Sequence, residues 1–352
     1  MQKSFWKKLG ITLLLTVSVF GLVACGDKKD DQKTISVYNW GLYIDPNVLD
    51  MFEEETGIKV QYDEFSTNED MYIKVKSGGS KYDIIIPSDY MIEKMIKEDM
   101  LAELNFDNIP NYANVDDQFK NLAYDPDGKY SVPYMWGTVG IVYNKTMVEE
   151  PITSWNALWD EKYKKQIFML DSPRDSIGVA LKLMGYGFNA ENTEQLEIAK
   201  EKLIAQRPLV LSYVVDEVRD AMLAGEAAMA LVWSGEGMYL TWNDENLEYV
   251  IPEEGSNIWF DSIVIPKDAP HKEEAEAFIN FLCRPDIAKL NVEEIGYATP
   301  IPAAQELLAP EIKDDPMGYP SADIIAKCEV FRDPGEFLSE YDRVWTEVKA
   351  SK

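Results

Sequence analysis

The chain has 352 residues, 46% of them hydrophobic and 27% charged, a globular composition that excludes a wholly disordered protein. Its 62 acidic and 34 basic residues give a formal charge of −28, which excludes a general nucleic-acid binder because phosphate contacts need clustered Lys and Arg. One histidine and three cysteines without CxxC spacing exclude histidine-based metal sites, histidine triads and zinc ribbons. Neither GxGxxG nor GxxxxGK[ST] occurs, so we expect no nucleotide, no other cofactor and no metal.

The first 24 residues have the pattern of a secretory signal peptide. Three lysines precede an apolar run, residues 9–24, that is too short and too interrupted for a good membrane span. The run ends in LVAC, which resembles the bacterial lipobox, whose cysteine is acylated and becomes the mature N-terminus. We therefore expect cleavage after residue 24, lipid on Cys25 and a polar tether over residues 25–33, which anchors the protein on the extracytoplasmic side of a membrane. The alternative is an uncleaved anchor helix.

From residue 34 onward, strand patterns alternate with helix patterns. The predicted strands are 35–39, 58–65, 83–86, 140–143, 167–170, 227–233 and 262–266. The predicted helices are 46–56, 68–76, one that follows Ser88, 154–159, 177–184, 194–205, 218–223 and 273–283. This alternation predicts an α/β fold with a helix-covered sheet, and the lack of a 20–50-residue period excludes solenoids and propellers.

The two cysteines of the body are expected to be separate thiols. Cys283 ends an apolar helical stretch, where a small core residue is the expected interpretation. A disulfide with Cys328 is the alternative that an oxidising compartment permits.

Aromatic and acidic side chains recur at the ends of the predicted strands. In open α/β sheets, ligands bind beyond the carboxyl ends of the strands. Several of these ends carry such residues, namely Trp40, Tyr43, Ser88, Tyr90, Asp175, Trp233, Trp259 and Asp261. Each has a structural alternative, as a core tryptophan or as a helix cap such as Asp45. Together they predict a cleft for a cation with an apolar body, although sugar-binding clefts combine the same residue types.

Six motifs resemble the spermidine/putrescine-binding proteins of ABC uptake systems. They are YNWGLYI at 38–44, ETGIKV at 55–60, DIIIPS at 83–88, ITSW with LW at 152–159, WFDS at 259–262 and IGYATP at 295–300. The resemblance runs from about residue 34 to about residue 330. It implies a two-lobed, periplasmic-binding-protein-like (type II) fold, in which each lobe is a helix-covered mixed sheet and the ligand cleft lies between the lobes. We expect lobe 1 to contain 34–136 and 260–303, and lobe 2 to contain 137–259 and 304–352.

The resemblance also implies a set of ligand-binding residues. Its aromatic and polar lining matches Trp40, Tyr43, Ser88, Tyr90, Trp233, Trp259 and Tyr297. Asp175 and Asp261 match acids that hold one ammonium end, and Glu236 matches an acid of putrescine-type members. Leu42 stands where many members carry an acid, and Ser172 stands where spermidine-type members carry an aspartate. The preference between spermidine and putrescine therefore stays open.

The chemistry of a polyamine agrees with this lining. Carboxylates neutralise its ammonium ends, and aromatic faces cover its methylenes. The implied function is a monomeric, non-enzymatic extracytoplasmic receptor that delivers a polyamine to an ABC permease. The alternatives are a receptor for another solute, such as a sugar or ferric ion, and a secreted hydrolase with paired carboxylates. The hydrolase would lack a GxSxG elbow, and the one histidine, His271, lies in a predicted exposed turn.

Overall fold

The computed structural model describes residues 33–79 and 81–351. The predicted signal peptide, the predicted lipidation site Cys25 and all of the predicted tether except Lys33 lie outside the described residues. None of the described helices is long and apolar enough to cross a membrane. Within the same residues, Cys283 and Cys328 are both free, which confirms the prediction of separate thiols.

A mixed β-sheet forms the centre of the structure. Its strands are β1 (Thr34–Trp40), β2 (Lys59–Phe65), β3 (Ile84–Ile85), β4 (Ser131–Asn144), β5 (Ile167–Leu170), β6 (Val210–Val214), β7 (Met229–Trp233), β8 (Leu247–Val250) and β9 (Ile258–Val264). Their order is β2-β1-β3-β9-β4-β7-β5-β6, and β8 also pairs with β4. The β1, β2 and β3 strands run parallel, as do β5, β6 and β7, whereas β4 and β9 are antiparallel to their neighbours.

Helices flank this sheet. They are α1 (Pro46–Thr56), α2 (Asn68–Lys76), α3 (Asp89–Lys97), α4 (Pro173–Leu183), α5 (Thr193–Gln206), α6 (Val218–Leu223), α7 (Ser234–Asn243), α8 (Lys272–Leu282), α9 (Pro285–Ile295), α10 (Pro302–Gln305), α11 (Pro310–Lys313), α12 (Ala322–Ile325) and α13 (Leu338–Ala350). The predicted α/β class is confirmed.

The long strand β4 joins two halves of the sheet. Its residues Ser131–Thr138 pair with β9, beside β3 and β1. From Val139 onward it pairs instead with β7 and β8. One continuous strand therefore runs from one half into the other.

Local signals explain where α1 begins and ends. The Asp45 side chain accepts a hydrogen bond from the backbone N–H of Asn47, and Pro46 occupies the first turn. Gly57 ends the helix with φ of 73°, a left-handed conformation that glycine adopts without steric cost. Asp45 is therefore a helix cap, as the sequence predicts.

Several predicted elements differ from the structure, and the predicted strand 140–143 is only the last part of β4, which begins at Ser131. Trp259 and Asp261 were expected to precede a strand that begins at residue 262, but both lie inside β9. Within β9 these two side chains alternate with those of apolar residues, and a more continuous apolar run follows them. The sequence prediction relied on that run and therefore placed the start of the strand too late. The segment Trp155–Trp159 is a 3₁₀ helix rather than an α-helix. Asp175, expected in a loop after β5, lies in the first turn of α4 because that helix already starts at Pro173.

The sequence analysis also missed several elements. The strands β6 and β8 are short and partly exposed, so they lack a continuous apolar signal. The helix α7 carries two glycines, which weaken helix patterns. The helices α9 and α13 were not predicted either, although their amphipathic patterns are ordinary.

Candidate ligand-binding site

A cavity lies where several strand ends and loops meet, and its empty space, open solvent included, is about 750 Å³. All ten ligand-binding residues that the sequence predicts line it, namely Trp40, Tyr43, Ser88, Tyr90, Asp175, Trp233, Glu236, Trp259, Asp261 and Tyr297. Residues from positions 40 to 297 thus meet in one place.

Aromatic rings form much of the cavity wall. The ring centroids of Trp40 and Trp233 lie 6.0 Å apart in an edge-on arrangement. The Tyr297 ring lies 5.3 Å from that of Trp259 and 5.1 Å from that of Tyr43, again edge-on. Such ring pairs stabilise one another and present π faces and apolar edges to the cavity. A wall of this kind suits methylene groups and can attract a cation.

Asp261 is a buried carboxylate of the predicted set, and one of its two oxygens has no hydrogen-bond partner among the described residues. Its side chain is 5% exposed, and its Oδ2 accepts a 2.8 Å hydrogen bond from the Tyr43 hydroxyl. Its Oδ1 has no hydrogen-bond partner among the described residues. Burial raises the pKa of Asp261 to about 7, although the nearby hydroxyls of Ser88 and Tyr43 lower it. An unneutralised buried carboxylate is costly, so this end of the cavity is suited to a cation.

A second buried carboxylate, Asp175, lies on the same wall. Burial raises its pKa to about 6, whereas hydrogen bonds from Ser172 and Trp233 lower it. The Ser172 hydroxyl donates to Asp175 Oδ2 over 2.6 Å. The negative charge of Asp175 also raises the pKa of Asp261, so the two carboxylates act on one another electrostatically. Ser172 thus orients an acid instead of supplying one.

Glu236 lines the cavity, but its charge already has a partner. Its Oε2 accepts a 2.5 Å hydrogen bond from Arg219 Nε, and its Oε1 accepts a 2.9 Å bond from Arg219 Nη2. Both side chains are largely buried. This two-point ion pair is neutral overall, so Glu236 offers little free charge to an ammonium group. Its predicted role as an ammonium partner stays a prediction.

Asp216 is an acid of the cavity that the sequence analysis missed. It follows β6, and its carboxylate has no hydrogen bond or ion pair within residues 33–79 and 81–351. Burial and the nearby charge of Glu236 raise its pKa to about 6. It approaches the opposite wall so closely that a Cβ at Gly41 would lie 2.4 Å from its Oδ2. An aspartate directly after a strand is the signal that could have identified it, had β6 been predicted.

Asn257 is a second missed residue of the cavity. It is 1% exposed, and it lies two residues before Trp259 and four before Asp261. The alternation of an extended strand places these three side chains on the same face. That spacing is the sequence signal that could have identified it.

Leu42 does not line the cavity. It stands at a position where many members of the family that the sequence resembles carry an acid. It is 48% exposed and has a left-handed backbone with φ of 50°. The cavity therefore has no carboxylate from this loop. Among the described residues, no group of three or more His, Cys, Asp or Glu is arranged to hold a metal ion.

Comparison with known proteins places these features in a family. The profile of the family described as bacterial extracellular solute-binding protein matches residues 47–318. The chain is 37% identical over 341 residues to the spermidine/putrescine-binding periplasmic protein of Salmonella typhimurium, covering 96% of this chain and 98% of that protein.

Solved structures give the same result for the fold. A Listeria monocytogenes protein described as belonging to a spermidine/putrescine ABC transporter is 43% identical and superposes with a TM-score of 0.89, covering 91% of this chain and 100% of that one. A lipoprotein of Treponema pallidum is 26% identical and has a TM-score of 0.80, covering 90% of this chain and 99% of that one. The predicted two-lobed, periplasmic-binding-protein-like fold is thereby confirmed.

Proposed function

The chain belongs to the bacterial extracellular solute-binding proteins, and on this premise we propose that it binds a polyamine, spermidine or putrescine, and delivers it to an ABC permease. It acts as a receptor and does not transform its ligand. The names of its relatives support this substrate class, and the cavity supports it independently.

The observation that carries the proposal is the pairing of Asp261 with an aromatic wall. Its buried Oδ1 has no partner among the described residues, and Asp175 adds a second carboxylate nearby. A neutral sugar would leave both charges uncompensated in a desolvated place. An alkyl diammonium ion would neutralise them while its methylenes lie against Trp40, Trp233 and Trp259. The geometry therefore favours a polyamine over a sugar.

The location of the receptor and its lobe boundaries are part of this proposal. The LVAC sequence that ends in Cys25 and the similarity to a lipoprotein support a lipid anchor on the extracytoplasmic side of the membrane. The change of β4 pairing partners after Thr138 supports a boundary between lobes near residues 136 and 137. We place the other crossings near residues 259 and 303. The protein works as a monomer in this scheme.

Tryptophan fluorescence tests the function directly. Three tryptophans line the cavity, so a bound ligand that covers them should change the emission of the ligand-stripped protein. We expect a saturable change with spermidine and with putrescine, and none with neutral sugars. Flat titrations with both polyamines, repeated by calorimetry, would refute the proposal.

The affinity should fall as the pH is lowered. Asp261 has a pKa of about 7 and Asp175 one of about 6 in the unliganded protein, and a cation binds only their ionised forms. Protons therefore compete with the ligand below these values, whereas alkyl ammonium groups resemble that of Lys and stay charged. Linkage predicts roughly a 15-fold loss of affinity between pH 7.5 and pH 6.

Calorimetry in two buffers of different ionisation enthalpy measures the protons released on binding at pH 6. In the Asp261→Asn variant the pH dependence should shrink to about twofold, because Asp175 is then the one of these two carboxylates that still titrates in this range. An affinity that is constant over this range would contradict the role of these carboxylates.

A further inference from the structure

The carboxylate of Asp216 lies in the cavity against the backbone of Gly41. Both residues line the cavity, and they follow two different strands, β6 and β1. The Asp216 Oδ2 atom comes so close to Gly41 that it leaves no room for a Cβ there. The same loop carries the cavity residues Trp40 and Tyr43. Asp216 therefore directs its charge into the cavity and toward the aromatic wall.

No side chain neutralises Asp216. Its carboxylate forms no hydrogen bond or ion pair within the described part of the chain. The cation that acts on it, Arg219, is already bonded at two points to Glu236. Burial and the charges of Glu236 and Glu217 raise the pKa of Asp216 to about 6. An ionised carboxylate in such surroundings is costly, and a cation from outside the protein would remove that cost.

Asp216 belongs to a different part of the cavity from Asp261. Asp261 accepts a hydrogen bond from the Tyr43 hydroxyl, whereas Asp216 lies in the electrostatic field of Glu236. Tyr297 connects the two parts, because its ring lies 5.1 Å from that of Tyr43 and its hydroxyl donates to Glu236 Oε1 over 3.4 Å. Burial and the charge of Glu236 raise the pKa of Tyr297, and the charges of Asp261 and Asp216 raise it further. The cavity thus has two anionic ends with an aromatic ring between them.

Two anionic ends match an alkyl chain with an ammonium group at each end. One ammonium would lie at Asp261 and the other at Asp216, with methylenes against the Tyr297 ring. Glu236 is a weaker candidate for the second end, because both of its carboxylate oxygens accept hydrogen bonds from Arg219. Asp216 has both of its oxygens available.

We propose that Asp216 is the acid that binds the second ammonium group of the polyamine, in the role that the sequence prediction gives to Glu236. This assignment rests on the proposed function. A hydrogen bond between an ammonium and a carboxylate is charge-assisted. It forms only with ligands that carry a second ammonium, so it sets the preference for diamines and triamines over monoamines.

The test compares Asp216→Asn with the wild type on three ligands. Butylamine has the carbon chain of putrescine but a single ammonium, which the Asp261 end holds. The variant should bind putrescine and spermidine at least tenfold more weakly and butylamine within about twofold of the wild type. Calorimetry measures the polyamines, and displacement of spermidine measures butylamine. Equal losses for all three ligands, or no loss for the polyamines, would overturn the assignment.

The matched control is Glu217→Gln. Glu217 is the next residue along the chain, it is exposed, and it does not line the cavity. Its Oε2 accepts a 3.1 Å hydrogen bond from the backbone N–H of Val215. This variant removes the same charge as Asp216→Asn, but all three affinities should stay within about twofold of the wild type. If it weakens the polyamines as much as Asp216→Asn does, attraction at a distance explains both results and the assignment fails.

Thermal unfolding without ligand separates binding from a structural role. An acid whose pKa is raised by folding destabilises the folded protein when it is ionised, so its contribution is unfavourable above that pKa. At pH 7.5, Asp216→Asn should therefore melt at the wild-type temperature or above it. A lower melting temperature together with weaker binding of all three ligands would show that Asp216 serves the fold. If the wild type binds neither spermidine nor putrescine, the proposed function itself fails.

Discussion

Replacing Asp261 by asparagine should weaken polyamine binding at least 30-fold. The substitution keeps the shape of the side chain but removes its charge, so an ammonium group would be desolvated without a counter-ion. Truncating one member of a buried, hydrogen-bonded charge pair costs about 2–5 kcal/mol, and roughly 30-fold corresponds to the lower end of that range. Calorimetry with spermidine and putrescine measures the loss, which should affect both ligands because each needs this end of the cavity.

The matched control is Asp45→Asn. Asp45 is also a largely buried aspartate, but it caps α1 and does not line the cavity. Asparagine is as good a helix cap as aspartate, so this variant should keep both its affinity and its melting temperature. If Asp261→Asn lowers the melting temperature while its affinity is unchanged, Asp261 has a structural role and the account of the site is wrong.

Much of the cavity lining could be predicted from sequence because many of its residues lie at the ends of recognisable strand patterns. Trp40 and Trp233 end strands, and Ser88 directly follows an apolar strand pattern. Parallel strands bring their carboxyl ends to one edge of a sheet, so residues at strand ends meet without any knowledge of side-chain packing. The resemblance to a family added Tyr297, which no strand end marks.

The electrostatic partners of the lining could not be predicted in the same way. Arg219 lies 17 residues before Glu236 on a different helix, and no local pattern joins them. Asn257 is a polar residue just before a strand, which ordinarily indicates a turn. Its amide is held by two backbone carbonyls, one of them that of Glu329, 72 residues away. Asp216 was missed because β6 was missed.

These partners change what each acid can do. A sequence that places three acids in a cavity suggests three cation sites, but an acid that is paired with arginine is a neutral unit. In this cavity the carboxylates of Asp175, Asp216 and Asp261 have raised pKa values, and the carboxylate of Glu236 is paired with Arg219. The free negative charge is therefore carried by aspartates, one of which the sequence analysis did not identify.

Glu236 is either the counter-ion of Arg219 or an acid that binds the ligand, and the Glu236→Gln variant addresses this choice. We expect the main effect of this variant to be a loss of stability. Burial lowers the pKa of Arg219, but the hydrogen bonds that its guanidinium donates to the Glu236 carboxylate raise it by more. Without the carboxylate, the guanidinium over the Tyr239 ring loses the counter-ion to which it is hydrogen-bonded. Breaking a buried ion pair by removing one partner costs about 3–5 kcal/mol of folding free energy, which denaturant unfolding measures. Affinity should also fall, because the unpaired positive charge repels a polyamine.

The double variant Arg219→Met with Glu236→Gln decides the role of Glu236 in binding. It removes both charges, so most of the lost stability should return, since an ion pair can be replaced by uncharged side chains at little cost. If Glu236 serves only as the counter-ion of Arg219, the affinity of the double variant for both polyamines should lie within about threefold of the wild type. If Glu236 instead holds an ammonium end, as the sequence predicts, the double variant should bind as weakly as the single one. Recovery of stability without recovery of affinity would therefore establish Glu236 as a ligand-binding acid and refute the neutral-pair interpretation.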